Sequence, residues 1–214
     1  MLFEDRRDAG RALARLVATL PNLQEAIVLG LPRGGVPVAF EVARALNLPL
    51  DILVVRKLRA PWQKELAMGA IASGGVLVTN PEVLRDLRIS DPALRALAER
   101  EMPELERIER TYRGQYPPLG IDGRTVILVD DGLATGASMC SAARAVRPRA
   151  SRVVIAVPVA EESTLRGLES EADQILCVSV PEAFEAVGQF YQDFRPTSNE
   201  EVCALLSQAR TLQA

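Results

Sequence analysis

The apolar residues along the chain follow two different spacings. Residues 5–20 place them three and four apart with charged residues between, the period of a surface helix, and 36–46 (VPVAFEVARAL) repeat it. Between and after these stand short unbroken apolar runs, 25–30 (EAIVLG) and 51–56 (DILVVR), which read as buried strands. The segment 67–80 (AMGAIAS-GG-VLVTN) predicts two short strands around a Gly-Gly turn. Residues 81–114 are charged and helix-rich, with Pro92 near the start of the longer segment. Pro117-Pro118 and Gly120 break the chain before a strand at 124–130. A helix at 137–147, a strand at 152–159, a helix near 161–169 and a strand at 174–180 follow. The C-terminal segment opens with Ser198 and Glu201 at capping-box spacing and reads as a helix.

Strands alternating with helices predict an α/β fold: a mainly parallel central sheet with helices on both faces. A length of 214 residues suits one domain over 1–214, with 81–118 as a helical insertion or flap. The alternating charges of 82–113 fit a solvated flap, with a homodimer contact as the alternative. In such sheets ligands bind beyond the carboxyl ends of strands. Three loops here follow strands and carry chemistry: Leu31–Gly35, Arg56–Trp62 and Asp130–Ser138.

Composition narrows the chemistry. A net charge of −3 and a pI near 5.3 give no footprint for nucleic acid. No apolar run approaches the ~20 residues of a membrane span, and the three cysteines are odd in number and widely spaced, as in a cytoplasmic protein with reduced thiols. Histidine is absent, which removes imidazole-based triads, zinc sites and general bases. Carboxylates, hydroxyls, amides, arginines and the two lysines, Lys57 and Lys64, must suffice.

The stretch 126–138, VILVDDGLATGAS, carries the strongest signal. Its Thr-Gly-Ala-Ser turn entering a helix offers amides, hydroxyls and a helix dipole to a phosphate. The adjacent acids Asp130 and Asp131 repel phosphate but accept bonds from a sugar diol or hold magnesium. Ribose 5-phosphate satisfies both halves. In LPRGG, Arg33 can clamp an oxyanion while Gly34 and Gly35 let the backbone come close. Arg56 and Lys57 add cations at the end of the next strand.

VILVDDGLATGAS resembles the phosphoribosyl pyrophosphate motif of type I phosphoribosyltransferases, and LPRGG resembles that family's pyrophosphate loop, in the family's order. The similarity spans 22–195. It implies that Asp130 and Asp131 are the catalytic acids that hold the ribose hydroxyls directly or through Mg2+. It further implies that Ala134, Thr135, Gly136, Ala137 and Ser138 grip the 5-phosphate. Arg33, Gly34, Gly35, Arg56 and Lys57 would bind pyrophosphate, and the Lys64 loop would close as a lid. Residues 173–195 are similar to the purine-site tail of oxopurine salvage enzymes, which would make Phe184 an acceptor-stacking residue and Asp193 a helper for magnesium. Ala134 stands where those enzymes carry an acid, and 152–159 contains no lysine, so the nitrogen acceptor is left open. A regulator that binds phosphoribosyl pyrophosphate or a nucleotide without turnover is the competing reading. An aspartate-nucleophile phosphatase fits less well, because the acids are adjacent and no lysine follows position 64.

Overall fold

The computed structural model describes residues 1–60 and 63–212, with backbone alone for 63–65. In chain order the elements are α1 (Arg6–Val17), β1 (Ile27–Gly30), α2 (Gly35–Leu46), β2 (Leu50–Ile52), β3 (Val55–Ala60), β4 (Gln63–Ala72) and β5 (Val76–Thr79). There follow α3 (Pro81–Asp86), α4 (Asp91–Arg113), β6 (Thr125–Val129), α5 (Ala137–Val146), β7 (Arg152–Val159), α6 (Glu162–Leu168), β8 (Gln174–Ser179) and α7 (Asn199–Thr211).

Five strands form a parallel sheet in the order β2-β1-β6-β7-β8. Its inner strands are apolar without alternation because both faces are covered. Successive residues point to opposite layers. Val28, Ile127, Val129, Val154 and Ala156 pack into one cluster with α1, α2 and α7. Ile27, Leu29, Val126, Leu128, Val153 and Ile155 pack into the other, beneath α5 and α6. The expected α/β architecture with helices on both faces is what the chain forms.

Local signals fix the helix ends. Asp5 accepts from the Asp8 amide to start α1, Asn80 accepts from Val83 at α3, and Ser90 from Ala93 at α4. Ser198 accepts from Glu201 at α7, as its spacing predicts. Each side-chain oxygen satisfies one of the amides a helix start leaves without a partner.

One predicted element divides. The run 51–56 is not a single strand: β2 ends at Ile52, and the chain turns at Leu53–Val54 to begin β3. Arg56–Trp62, expected as a loop, instead gives its described part to β3, and Pro61 and Trp62 lie outside the described residues. The strands β3, β4 and β5 pair antiparallel into a separate small sheet. Apolar runs of this length carry no sign of which sheet they join, and Ser73 decides it locally by accepting from the Val54 amide. Helix α4 packs on β3 and β4 through Leu94, Ala98 and Leu105 and is bolted to the parallel sheet at its far end. There Arg113 donates to Asp51 in β2 at 2.9 Å, to the Ile52 carbonyl at 2.7 Å and to Glu109 at 2.7 Å.

Candidate active site

The chain order creates a switch point between β1 and β6. From β1 the connection through α2 runs to β2 on one side, whereas β6 leads through α5 to β7 on the other. The loops leaving these two neighbouring strands diverge and leave a crevice. They are Leu31–Gly35 and Asp130–Ser138, so the two motifs separated by a hundred residues of sequence become adjacent.

Their contact is close enough to require glycine. A Cβ on Gly34 would lie 2.0 Å from Asp131 Oδ2. A Cβ on Gly35 would lie 2.7 Å from the Val129 carbonyl oxygen and 3.0 Å from Asp130 Oδ1. The Leu31 amide donates to the Val129 carbonyl and ties the loop base to β6. The Pro32–Arg33 peptide bond is cis.

Among the described residues, the amides of Arg33 and Gly34 donate to no acceptor within the chain, nor do those from Ala134 to Ser138. Gly136 adopts φ +65°, a left-handed conformation that turns the chain into α5. Thr164 Oγ1 donates to the Ala134 carbonyl and holds this loop from α6. Two sets of donors therefore converge on the crevice, one at the start of each helix. Donors at a helix start attract anions.

The paired acids sit between them with unequal partners. Asp131 Oδ2 accepts from Arg6 Nε at 2.8 Å, both side chains being largely buried at 15% and 11% exposure. Arg6 also donates to the Arg195 carbonyl and covers the Phe194 ring at 4.0 Å. The Asp131 carbonyl accepts from the Tyr191 hydroxyl at 2.6 Å. Asp130 Oδ1 accepts from the Asp131 amide at 2.9 Å, and no cation pairs with it among the described residues. Burial raises the Asp130 carboxyl well above its ordinary range, and the Asp131 charge pushes it further. Burial raises Asp131 as well, against the opposing pull of Arg6.

A cavity of about 300 Å³ opens on Asp130 and Ser138, walled by Leu31, Pro32, Val54, Arg56 and Tyr112. A larger one of about 560 Å³ shares Val55, Arg56 and Ser138 with it and is also lined by Lys57, Arg59, Leu97 and Glu101. Arg56 and Lys57 thus reach the same rim from β3. Arg33 is exposed at the loop tip, and the Lys64 side chain lies outside the described residues.

Phe184 and Asp193, expected at the acceptor and magnesium, have partners within their own segment. Phe184 stacks on Phe190 at 5.4 Å with one face of its ring. Asp193 is held by Arg195, whose guanidinium keeps its carboxyl at about 2. It lies on the wall of a separate cavity of about 350 Å³, which also includes Arg6. Among the described residues no three His, Cys, Asp or Glu side chains group as metal ligands.

Arg6, Tyr191, Tyr112 and Thr164 are site residues that sequence reasoning misses. Arg6 arrives because the N-terminal segment pairs with the segment 190–193, Phe3 donating to the Phe190 carbonyl and accepting from the Gln192 amide. The Arg-Arg doublet after a helix cap was the only signal, and it reads as an ordinary surface pair.

Residues 4–195 match the family model described as phosphoribosyl transferase domain. The chain belongs to the phosphoribosyl transferase domain family. Two proteins of Mycobacterium tuberculosis, each named "Putative phosphoribosyl transferase", MT0597 in strain CDC 1551 and Rv0571c in strain H37Rv, are 45% identical to it over 209 residues. Those alignments cover 97% of this chain and 47% of the relatives, so the chain spans about half their length. The crystal structure of TT1426 from Thermus thermophilus superposes with a TM-score of 0.87 at 45% identity, covering 97% of this chain and 99% of that one. That likeness extends through the antiparallel sheet and α4 as well as the parallel core. Among the described residues no helix is long and apolar enough to cross a membrane.

Proposed function

We propose that this phosphoribosyl transferase domain moves the ribose 5-phosphate group of phosphoribosyl pyrophosphate to a nitrogen acceptor and releases pyrophosphate. The observation that carries this reading is the contact of Gly34 and Gly35 with Asp130 and Asp131 at the switch point. A loop that would bind pyrophosphate and acids that would hold the ribose hydroxyls need to be neighbours, because both groups sit on one sugar ring. The approach of Gly34 and Gly35 to the acids supports this.

In this reading the amides from Ala134 to Ser138 and the Thr135 and Ser138 hydroxyls take the 5-phosphate. Asp130 and Asp131 accept from the ribose hydroxyls. Arg33, the Gly34 and Gly35 backbone, Arg56 and Lys57 neutralise the pyrophosphate, and the hairpin bearing Lys64 excludes water. The bond from the anomeric carbon to pyrophosphate breaks as the acceptor nitrogen attacks, through a transition state with oxocarbenium character. Positioning and charge stabilisation supply the acceleration, so the absence of histidine is no obstacle.

Asp130 suits Mg2+: it is a carboxylate without a cationic partner, disfavoured as an anion by burial, beside a site for phosphate oxygens. Two protein carboxylates are enough, because magnesium takes much of its coordination from substrate phosphates and water. Asp130 and Asp131 would hold it, and when bound it would supply positive charge to offset the negative charge of the leaving pyrophosphate. The acceptor class stays open, since Ala134 stands where oxopurine enzymes carry an acid and 152–159 contains no lysine. The cell compartment we propose is the cytoplasm, where thiols such as Cys140, Cys177 and Cys203 stay unpaired.

Binding without turnover is the second reading. It is favoured by Ala134, which places a methyl group where a general base would stand for a purine. Pyrophosphate release from phosphoribosyl pyrophosphate, screened across nucleobases and small amines, tests both. Acceptor-dependent release supports the transferase; tight binding with no release for any acceptor supports the regulator.

A further inference from the structure

One member of the proposed pyrophosphate set already has an anion. Arg56 donates from Nη2 to Glu101 of α4, and its Nη1 lies 3.9 Å from Glu104. Its Nε is buried and has no hydrogen-bond partner among the described residues. A guanidinium presents five N–H donors in a planar fork matched to phosphate oxygens, so this one is only partly used. Arg56 also borders both cavities, the one opening on Asp130 and Ser138 and the one that Glu101 also lines. The Glu101 carboxylate therefore engages Arg56 in a cavity that both residues line together with Ser138, so it takes donors that a phosphate oxygen in that cavity would use.

The helix that carries Glu101 is built in two parts. Pro103 stands inside α4 between Glu101 and Glu104 and removes an intrahelical hydrogen bond at that point. After Pro103 the helix is anchored by the buried Arg113–Asp51 pair and by the Tyr112 hydroxyl on Asn199. Before Pro103 it is held by Leu94 and Ala98 and by the Glu101–Arg56 pair, whose members are 37% and 31% exposed. The polar hold on the first half is thus an ion pair at the mouth of the site.

We propose that Glu101 is a built-in competitor for the anion subsite at Arg56: ligand phosphate oxygens displace it, and the part of α4 before Pro103 is unlatched as they do. The proposal rests on the reading that Arg56 meets the ligand's pyrophosphate. A ligand that must first displace Glu101 binds more weakly by the fraction of molecules in which Arg56 is free.

The test is calorimetric titration of inorganic pyrophosphate with magnesium into the wild type, Glu101→Gln, Arg56→Gln and the double variant. Thermal shift of the wild type with phosphoribosyl pyrophosphate and magnesium runs in parallel. Glu101→Gln should bind pyrophosphate about three- to fivefold tighter, the scale of a partly exposed ion pair. Arg56→Gln should bind more weakly, and the double variant no tighter than Arg56→Gln, because the gain acts through Arg56. Equal or weaker binding by Glu101→Gln overturns the proposal even where the wild type responds to phosphoribosyl pyrophosphate. A wild type that responds to neither ligand overturns the site reading, and this proposal with it. Should Glu101→Gln not fold, hydrogen exchange of the wild type decides. Faster exchange in 91–102 on adding pyrophosphate, with 104–113 unchanged, supports the latch, and unchanged exchange in 91–102 overturns it.

Discussion

The parallel sheet and the antiparallel cover meet the same crevice with different materials. At the β1–β6 rim the groups lining the crevice are mostly backbone amides and two carboxylates, set by strands buried on both faces. On β3 and α4 they are long charged side chains, half-exposed and already paired with one another. A phosphate held by amides has a fixed place, because the strands beneath cannot shift without disturbing both clusters of the core. A phosphate held by Arg56 would, as proposed, compete with Glu101. In the proposed reading the rim would set where a ligand sits, and the cover how easily it is held.

The bolt between the two regions gives the largest expected effect. Arg113→Met leaves Asp51, 4% exposed, without its cation and should cost about 3–5 kcal/mol in denaturant unfolding. Replacing Asp51 as well, with leucine, should recover most of that loss. If the single change costs under about 1 kcal/mol, the cover is not fastened here. Next comes the rim. Gly34→Ala drives a Cβ to within 2.0 Å of Asp131 Oδ2 and should cost about 1–3 kcal/mol. It should also weaken phosphoribosyl pyrophosphate binding at least about tenfold, a shift of about 1.4 kcal/mol. Gly120→Ala, with nothing within 4 Å of its Cβ, is the matched control and should change neither quantity.

Asp130→Asn should separate stability from binding. Burial raises the folded-state carboxyl above its unfolded value, so the folded protein holds a proton that the unfolded chain has released. Stability must then fall as pH rises from the ordinary aspartate range through the raised value. The asparagine variant escapes that loss, and its advantage should grow with pH to about 1 kcal/mol or more near neutrality while ligand binding disappears. Melting temperatures of both proteins from about pH 4 to 8 check the sign; a variant less stable at every pH contradicts it. The smallest effect belongs to Thr164→Val, which removes the hydroxyl holding the Ala134 carbonyl. A loss of about 0.5–1 kcal/mol and a slight weakening of phosphate binding are expected.

The same contrast explains what the sequence revealed. The parallel strands and their helices were legible because a strand buried on both faces is apolar at every position, and because Ser198, Pro92 and Gly136 mark helix ends by local chemistry. Asp130–Ser138 and Leu31–Gly35 were legible as loops for the same reason: each follows an unmistakable strand. The division of 51–56 between two sheets was not, since nothing in DILVVR shows that the chain leaves the sheet after Ile52. Long-range partners were equally hidden. Arg6 reaches Asp131 across 125 residues, and Tyr191 reaches the same residue only because the N-terminal segment and 190–193 pair. The aromatic tail around Phe184 read as a stacking surface, and one face of its ring stacks on Phe190.

The most direct test of the account is thermal unfolding with phosphoribosyl pyrophosphate, with and without magnesium, in the wild type and in Asp130→Asn. Ligand at a hundred times its dissociation constant adds about 2.7 kcal/mol to the folded state, a shift of several degrees for a chain of this size. The account predicts a rise in midpoint that needs magnesium and vanishes in Asp130→Asn. No rise in the wild type, or an equal rise in the variant, would contradict the placement of the sugar phosphate on the paired acids.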